Sequence, residues 1–358
     1  MSKESIPFSW INSELALTSR LQEYQDVPFS SLEALITEKN AGIDFHDPIV
    51  IHQKHNGPFV FFNDHRADAY IDRARNLAQG GQLAKVPQVN FFHDSDRILG
   101  RLQSMYIVAK RHPYTPSHAM LVPSPEDQNG VAYAKPHELS ILEESHLQTA
   151  GKLAQNGWVV WLNGAFPTQT ALHFHMMREY VGNDQENVFS LVGSSLSGHY
   201  DKTYMQSVVD KEADHYVPSP CFATSDPQEM LWAMMTLSKN GHLSDMCVVR
   251  GNGFPLFVLY PARLALSLKD YVIDFFPERE HADWKHIRWM WMPSAENIGF
   301  LARPSNLQID HLNHQISITD ENQVKHDMDM DWFIGHIRKK FDSLHMSEKE
   351  IRRTLRMS

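Results

Sequence analysis

His173 and His175 stand two positions apart in the run ALHFHMM, and side chains two apart on an extended strand point to one side. Two imidazoles on one face can do two kinds of chemistry. A neutral ring with an available lone pair is a good nucleophile toward phosphorus near neutral pH. The same two rings can ligate a metal, but only with a further His or carboxylate to complete the set. The pair alone carries little weight, because with 21 His in 358 residues about one His-x-His is expected by chance. The same arithmetic makes His52-x-x-His55 and His311-x-x-His314 structural or surface histidines rather than metal motifs. Near the pair stand Asn163, Gln169 and Thr170, which carry neutral hydrogen-bonding side chains. Upstream lies His118. Preorganised donors aimed at developing phosphoryl charge are the expected source of rate in such a site.

The elements that must position these residues read as α+β. SSLEALITEKNAG has the spacing of a helix, and DPIVIHQKHNGPFVFF reads as strand, turn, strand. SMYIVAK and SHAMLVP are two short strands joined by the proline-containing RHPYTP. KPHELSILEESHLQTAGKLAQNG reads as one long amphipathic helix with Pro136 at its start and Gly157 at its end. WVVWLN and ALHFHMM follow as strands, so Leu172, Phe174 and Met176 face one way and His173, His175 and Met177 the other. Hairpin, helix, strand, turn and strand imply a largely antiparallel sheet with helices.

The stretch 226–255 echoes 135–167. Each has Pro-x-Glu at a helix start, an apolar strand, then Asn-Gly and Phe-Pro. The strand after the second copy, LFVLYPARL, has no histidine. The expected organisation is an N-terminal helical and extended segment over 1–90 and a chemistry-bearing half over 91–200. A degenerate second half follows over 201–310, then a helical tail over 311–358 with a Ser347-x-x-Glu350 capping box. The Trp-rich IRWMWMP alternates like a half-buried strand of core or dimer packing.

Composition bounds the function. Hydrophobic residues at 42% and charged residues at 21% describe an ordinary folded protein. A net charge of −10 argues against coating DNA or RNA, which needs clustered Lys and Arg, although one local pocket can still take a phosphate-bearing ligand. Cys221 and Cys247, the two cysteines, cannot make a disulfide framework or a four-thiolate zinc site. The absence of a leader-like N-terminus and of an apolar run of spanning length leads to the expectation of a soluble cytoplasmic protein, with no membrane partner.

Over about residues 97–181 the sequence resembles the histidine-triad superfamily. Asn163, Gly164, Gln169, Thr170, His173 and His175 follow the order of that family's nucleophile strand, and His118 and Pro123 match its preceding hairpin. The resemblance implies that His175 attacks the α-phosphorus of a nucleotide ester or anhydride, oriented by the backbone carbonyl beside His173, while His118 lines the site. Asn163, Gln169 and Thr170 would bind substrate. The length and two-half organisation resemble the larger branch, the galactose-1-phosphate uridylyltransferases, diadenosine tetraphosphate phosphorylases and GDP-hexose phosphorylases. Those act on nucleotide sugars or dinucleoside polyphosphates, and a homodimer is a family-level expectation. One position departs. Hydrolases of the superfamily have His, and transferases and phosphorylases Gln, where this chain has Met177, which can donate no hydrogen bond to phosphate. Arg178 or a residue from elsewhere is the candidate for that donor, although Arg178 and Tyr180 both read as ordinary strand-end residues. The alternatives to a transferase are a hydrolase using the same covalent step, a non-catalytic nucleotide binder, and a metal-dependent enzyme using His173 and His175. No metal or cofactor is assignable from the sequence.

Overall fold

The apolar runs on either side of the histidine pair assemble into one antiparallel sheet. The computed structural model describes residues 21, 23–45, 49–53, 57–63, 95–123, 142–162, 172–178, 203–206, 221–251, 253–263, 272–274, 288–290, 300–303, 306–319 and 323–356. Its strands are β1 Ile49–Gln53, β2 Gly57–Asn63, β3 Ile98–Leu102, β4 Met105–Ala109, β5 Ala119–Pro123, β6 Trp158–Leu162, β7 Phe174–Arg178, β8 Thr203–Gln206 and β9 Cys221–Thr224. They continue with β10 Ser244–Arg250, β11 Pro255–Pro261, β12 Val272–Asp274, β13 Arg288–Met290, β14 Phe300–Arg303, β15 Leu307–Asp310, β16 Gln315–Thr319 and β17 Lys325–Asp329. The helices are α1 Leu32–Lys39, α2 Glu144–Gln155, α3 Pro227–Lys239, α4 Met330–Leu344 and α5 Glu348–Leu355.

The main sheet runs in the order β3-β4-β5-β7-β6-β10-β11-β9-β8, and every neighbouring pair is antiparallel. Its central strands are rich in Val, Trp, Phe, Leu and Met, which suit a pleated surface buried on both faces. On one face Val160, Phe174, Met176, Met246 and Phe257 pack against Leu147 and Leu153 of α2, Met234 of α3 and Ile351 of α5. Full burial of each large apolar side chain stabilises the fold by about 1.5–3 kcal/mol. On the other face Val159, Trp161, Met177, Cys221, Cys247, Val258 and Tyr260 form a second buried cluster. The His175 ring belongs to this second face.

Several expectations meet their elements. The β4–β5 hairpin pairs Met105 with Pro123 and Ala109 with Ala119, and β1 and β2 are the two expected strands, antiparallel with Ile49 opposite Phe61. The Ser347 capping box of α5 is formed, with the Ser347 N–H donating to Glu350 Oε2 at 2.7 Å. Arg288–Met290 of the Trp-rich run is a strand.

Three expectations change. Helix α2 does not run from Pro136 to Gly157: Glu143 is extended, at φ −112° and ψ 159°, and helix begins at Glu144. Its cap is a side chain that sequence rules do not favour, since the Glu143 N–H donates to His146 Nδ1 at 3.1 Å. Helix α3 does start at Pro227, capped by Asp226, which accepts from the Gln228 N–H at 2.8 Å. The helix after the first Pro-x-Glu therefore begins at Glu144, whereas α3 begins within the second. What α2 and α3 share is the other end, Asn156-Gly157 and Asn240-Gly241, with the glycines at φ 78° and 81°, a left-handed stop that glycine adopts without strain. Finally, the stretch after 311 is not helical throughout, because β15, β16 and β17 form a three-stranded sheet before α4 begins. Among the described residues no helix is long and apolar enough to cross a membrane.

Candidate nucleotide site

Strand β7 delivers the histidines. Its alternation buries Phe174 and Met176 toward the helices and turns His175 to the opposite face with Met177. On β6, Trp161 lies directly across from His175, and the two rings stack with centroids 5.1 Å apart and planes 15° apart. The apolar indole thus fixes one side of the imidazole. The His173 ring meets His175 edge-on at 4.9 Å.

His118 comes from the other neighbour of β7. It precedes β5, whose Met120 lies opposite His175, and it closes the loop after β4 by donating its N–H to Thr115 O at 3.1 Å. The Tyr114 ring stacks on His118 at 4.7 Å, with the Lys110 ammonium 4.0 Å over the Tyr114 ring. The Nε2 of His118 then reaches the Nδ1 of His175 at 3.2 Å. All three histidines are buried, at 0% exposure for His118, 4% for His173 and 7% for His175. The structure brings together His175 and the two residues read as its supports, His173 and His118.

The direction of this contact follows from its far end. The Tyr114 backbone N–H donates to His118 Nδ1 at 2.9 Å, and a backbone N–H can only donate. Nδ1 of His118 is therefore the unprotonated nitrogen, and a neutral ring carries its proton on Nε2. Nε2 donates to His175 Nδ1, which places the proton of a neutral His175 on its own Nε2. Tyr114, His118 and His175 form a one-way donor chain, in which each bond polarises the next. The resemblance to the histidine-triad superfamily implies a backbone carbonyl orienting the His175 ring; the partner that the structure places on its Nδ1 is the His118 side chain.

Arg178 does not supply the donor that Met177 lacks. Alternation sends it to the helix face, where its Nη1 donates to the Asn156 carbonyl at 2.6 Å and the Gly157 carbonyl at 3.2 Å. Its guanidinium lies 3.0 Å from Glu33 and over the Trp158 ring. Met177 itself is completely buried. Asn163, Gln169, Thr170 and Tyr180 lie outside the described residues. Among the described residues no group of three or more His, Cys, Asp or Glu gathers as a metal set, so His173 and His175 meet no third ligand there. Cys221 and Cys247 are buried thiols not joined in a disulfide.

Three residues of this neighbourhood escape a sequence reading. Trp161 could have been found, since it lies on the same face of WVVWLN as Val159, opposite the residues turned to the helices. Tyr114 meets His118 with its ring but hydrogen-bonds it through its backbone N–H, which any residue except proline has. Asn40 donates its amide to Pro116 O at 2.8 Å and His118 O at 3.3 Å across more than seventy positions, a separation that leaves no local pattern.

No family model and no curated protein matches the chain. Among solved structures the chain is similar to yeast Ap4A phosphorylase Apa2, determined in complex with AMP. That likeness covers 76% of this chain and 88% of the other, at 11% identity and a TM-score of 0.38.

Proposed function

We propose that the chain is a nucleotide-processing enzyme of the histidine-triad superfamily, a nucleotidyltransferase or phosphorylase acting on a nucleotide sugar or dinucleoside polyphosphate. The observation that carries this reading is the buried pair His118 Nε2 and His175 Nδ1 at 3.2 Å, on the strand whose sequence resembles the superfamily's nucleophile strand. In the proposed reaction Nε2 of His175 bonds to the α-phosphorus as the bond from phosphorus to the leaving-group oxygen breaks, and that oxygen keeps the electron pair. Phosphate, a sugar phosphate or, in the hydrolase variant, water then takes the nucleotidyl group from the nitrogen and regenerates the ring. Attack needs the lone pair on Nε2, so His175 must first hold its proton on Nδ1. His118 then accepts that proton's hydrogen bond, keeps its own proton on Nδ1, and parts from the Tyr114 N–H. Asn163, Gln169 and Thr170 are the proposed phosphate and sugar contacts.

A second reading has its own support. In the donor chain the neutral His175 ring carries its proton on Nε2, an N–H of the kind suited to a phosphate oxygen, and Met177 is buried among apolar groups. Both fit a protein that binds a nucleotide without forming a bond to it.

The two-half organisation belongs to the same proposal. Trp161 on β6 pairs with Cys247 on β10 at the centre of a strand order that reads β4-β5-β7-β6 on one side and β8-β9-β11-β10 on the other. Stepping outward in register, Val258 on β11 occupies the place of His175. Tyr260 then occupies that of Met177, and Cys221 that of His118. The second half would keep the scaffold without the imidazoles.

The test is intact-protein mass spectrometry after exposure to a panel of nucleotide sugars and dinucleotides. A nucleotidyl mass added to the parent and absent from His175→Ala supports the transferase reading. Retained nucleotide with no added covalent mass supports the binder. An adduct forming on His175→Ala at the parental rate overturns the nucleophile assignment.

A further inference from the structure

Helix α1 lies far from the histidines in sequence, yet it holds both strands that carry them. Leu32 and Ile36 anchor it in the main core. At its first turn Glu33 pairs with Arg178 at the end of β7, 3.0 Å away. At its C-terminal cap, Asn40 turns its amide onto the loop that ends in His118, donating to the Pro116 carbonyl at 2.8 Å and the His118 carbonyl at 3.3 Å. The residue between those two, Ser117, accepts the Arg178 N–H on its hydroxyl at 3.1 Å, which ties the loop to β7.

Asn40 is only 2% exposed. A buried amide is unfavourable unless its hydrogen bonds are made, and both of the donations described above go to this one loop. The loop has a demanding geometric task. Tyr114 must aim its N–H at Nδ1 of His118 while the His118 ring aims Nε2 at His175. A shift of about one ångström in a supporting loop is enough to spoil such an alignment.

We propose that Asn40 is a positioning residue of the site: by holding the Pro116 and His118 carbonyls it fixes the loop that sets the tautomer of His118 and its contact with His175. This rests on the reading of the pair as the nucleotide site, but its first test needs no nucleotide. In the full chain, imidazole nitrogen shifts measured by NMR should show an unprotonated Nδ1 and a protonated Nε2 on His118. Asn40→Ala should bring the two nitrogen shifts together, as the loop no longer selects one tautomer, and should weaken binding of AMP, UMP or GMP, whichever the parent binds, about tenfold. Asn40→Ser keeps one donor and should fall between the two, and it serves in place of the alanine variant if that fails to fold. Ile36→Val removes a methyl group from the same helix without touching the loop, so it should lower the melting temperature and leave the nitrogen signature as it was.

Parental nitrogen shifts in Asn40→Ala overturn the proposal. So does the same averaging in Ile36→Val, which would trace the effect to loss of stability. A parent protein whose His118 lacks a protonated Nε2 overturns it as well. Failure of the parent to bind any of AMP, UMP and GMP counts against the functional reading instead, and the nitrogen signature then still decides the role of Asn40.

Discussion

Met177 shares its side of β7 with His175, but it is fully buried in the cluster with Trp161, Cys247 and Tyr260. Restoring the Gln that the resemblance leads one to expect would place an amide in apolar surroundings, at a cost of about 1–3 kcal/mol without a partner. Met177→Gln is therefore expected to lower the melting temperature of the free protein. If the amide reaches a bound phosphate, added AMP should recover part of that loss and nucleotidyl transfer should rise; thermal melts with and without AMP check this. Melting of the Gln variant that responds to AMP no more than the parent's would show that position 177 does not face the ligand. At this scale the sequence was informative wherever one face of a strand decided the outcome. The period of two set His175 and Met177 against Phe174 and Met176, and the structure keeps that division. Arg178 was harder to judge: adjacency in sequence suggested a substitute donor, whereas a one-residue step on a strand reverses the side.

The elements were legible where apolar periodicity was strong, as in β4 to β7, α1, α4 and α5. They were not where a chain turn depended on an uncommon partner or where a strand faced solvent. In β17 only Met328 of KHDMD is buried, so five residues carry one inward signal. Strand β3 buries alternate residues, but the middle inward position is Gly100 and the outward Leu99 is apolar, so its sequence shows no alternation. The start of α2 was misplaced because Pro136 is a familiar helix opener, while the acceptor of the cap is an imidazole. His146 occupies the place usually taken by Glu or Gln in a capping box. His146→Leu keeps most of the packing volume but leaves the Glu143 N–H without its side-chain acceptor, and is expected to cost about 1 kcal/mol in urea unfolding. His146→Gln, which can still accept, should lose less. Equal losses for the two would mean that packing of the ring, not the cap, is what α2 needs from this position.

At the scale of the whole molecule, the C-terminal helices return to the sheet and close one end of it. The Met346 N–H donates to Pro261 O at 2.8 Å, and the Arg263 N–H to Leu344 O at 3.0 Å. Arg263 Nε donates to His345 O, also at 2.8 Å. His345 is sealed into this seam, its ring 5.8 Å from Tyr260 on β11. Burial, with a smaller contribution from the Arg263 charge, lowers its pKa from 6.5 to about 4. In the unfolded chain the ring titrates near its ordinary value. Between pH 6.5 and 4 the unfolded state therefore binds a proton that the folded state refuses, and stability must fall as the pH drops through that window. The loss from this one group approaches ~3 kcal/mol at the acid end and is absent above neutrality. The chain holds 21 histidines, so the informative quantity is a difference. Urea unfolding at several pH values between 7.5 and 4.5, compared for the parent and His345→Gln, should show the shallower acid slope in the variant. Identical slopes would mean that the seam between β11 and the C-terminal helices opens enough in the folded protein for His345 to take its proton, and the helices would then be a loosely held cover on the sheet rather than part of its core.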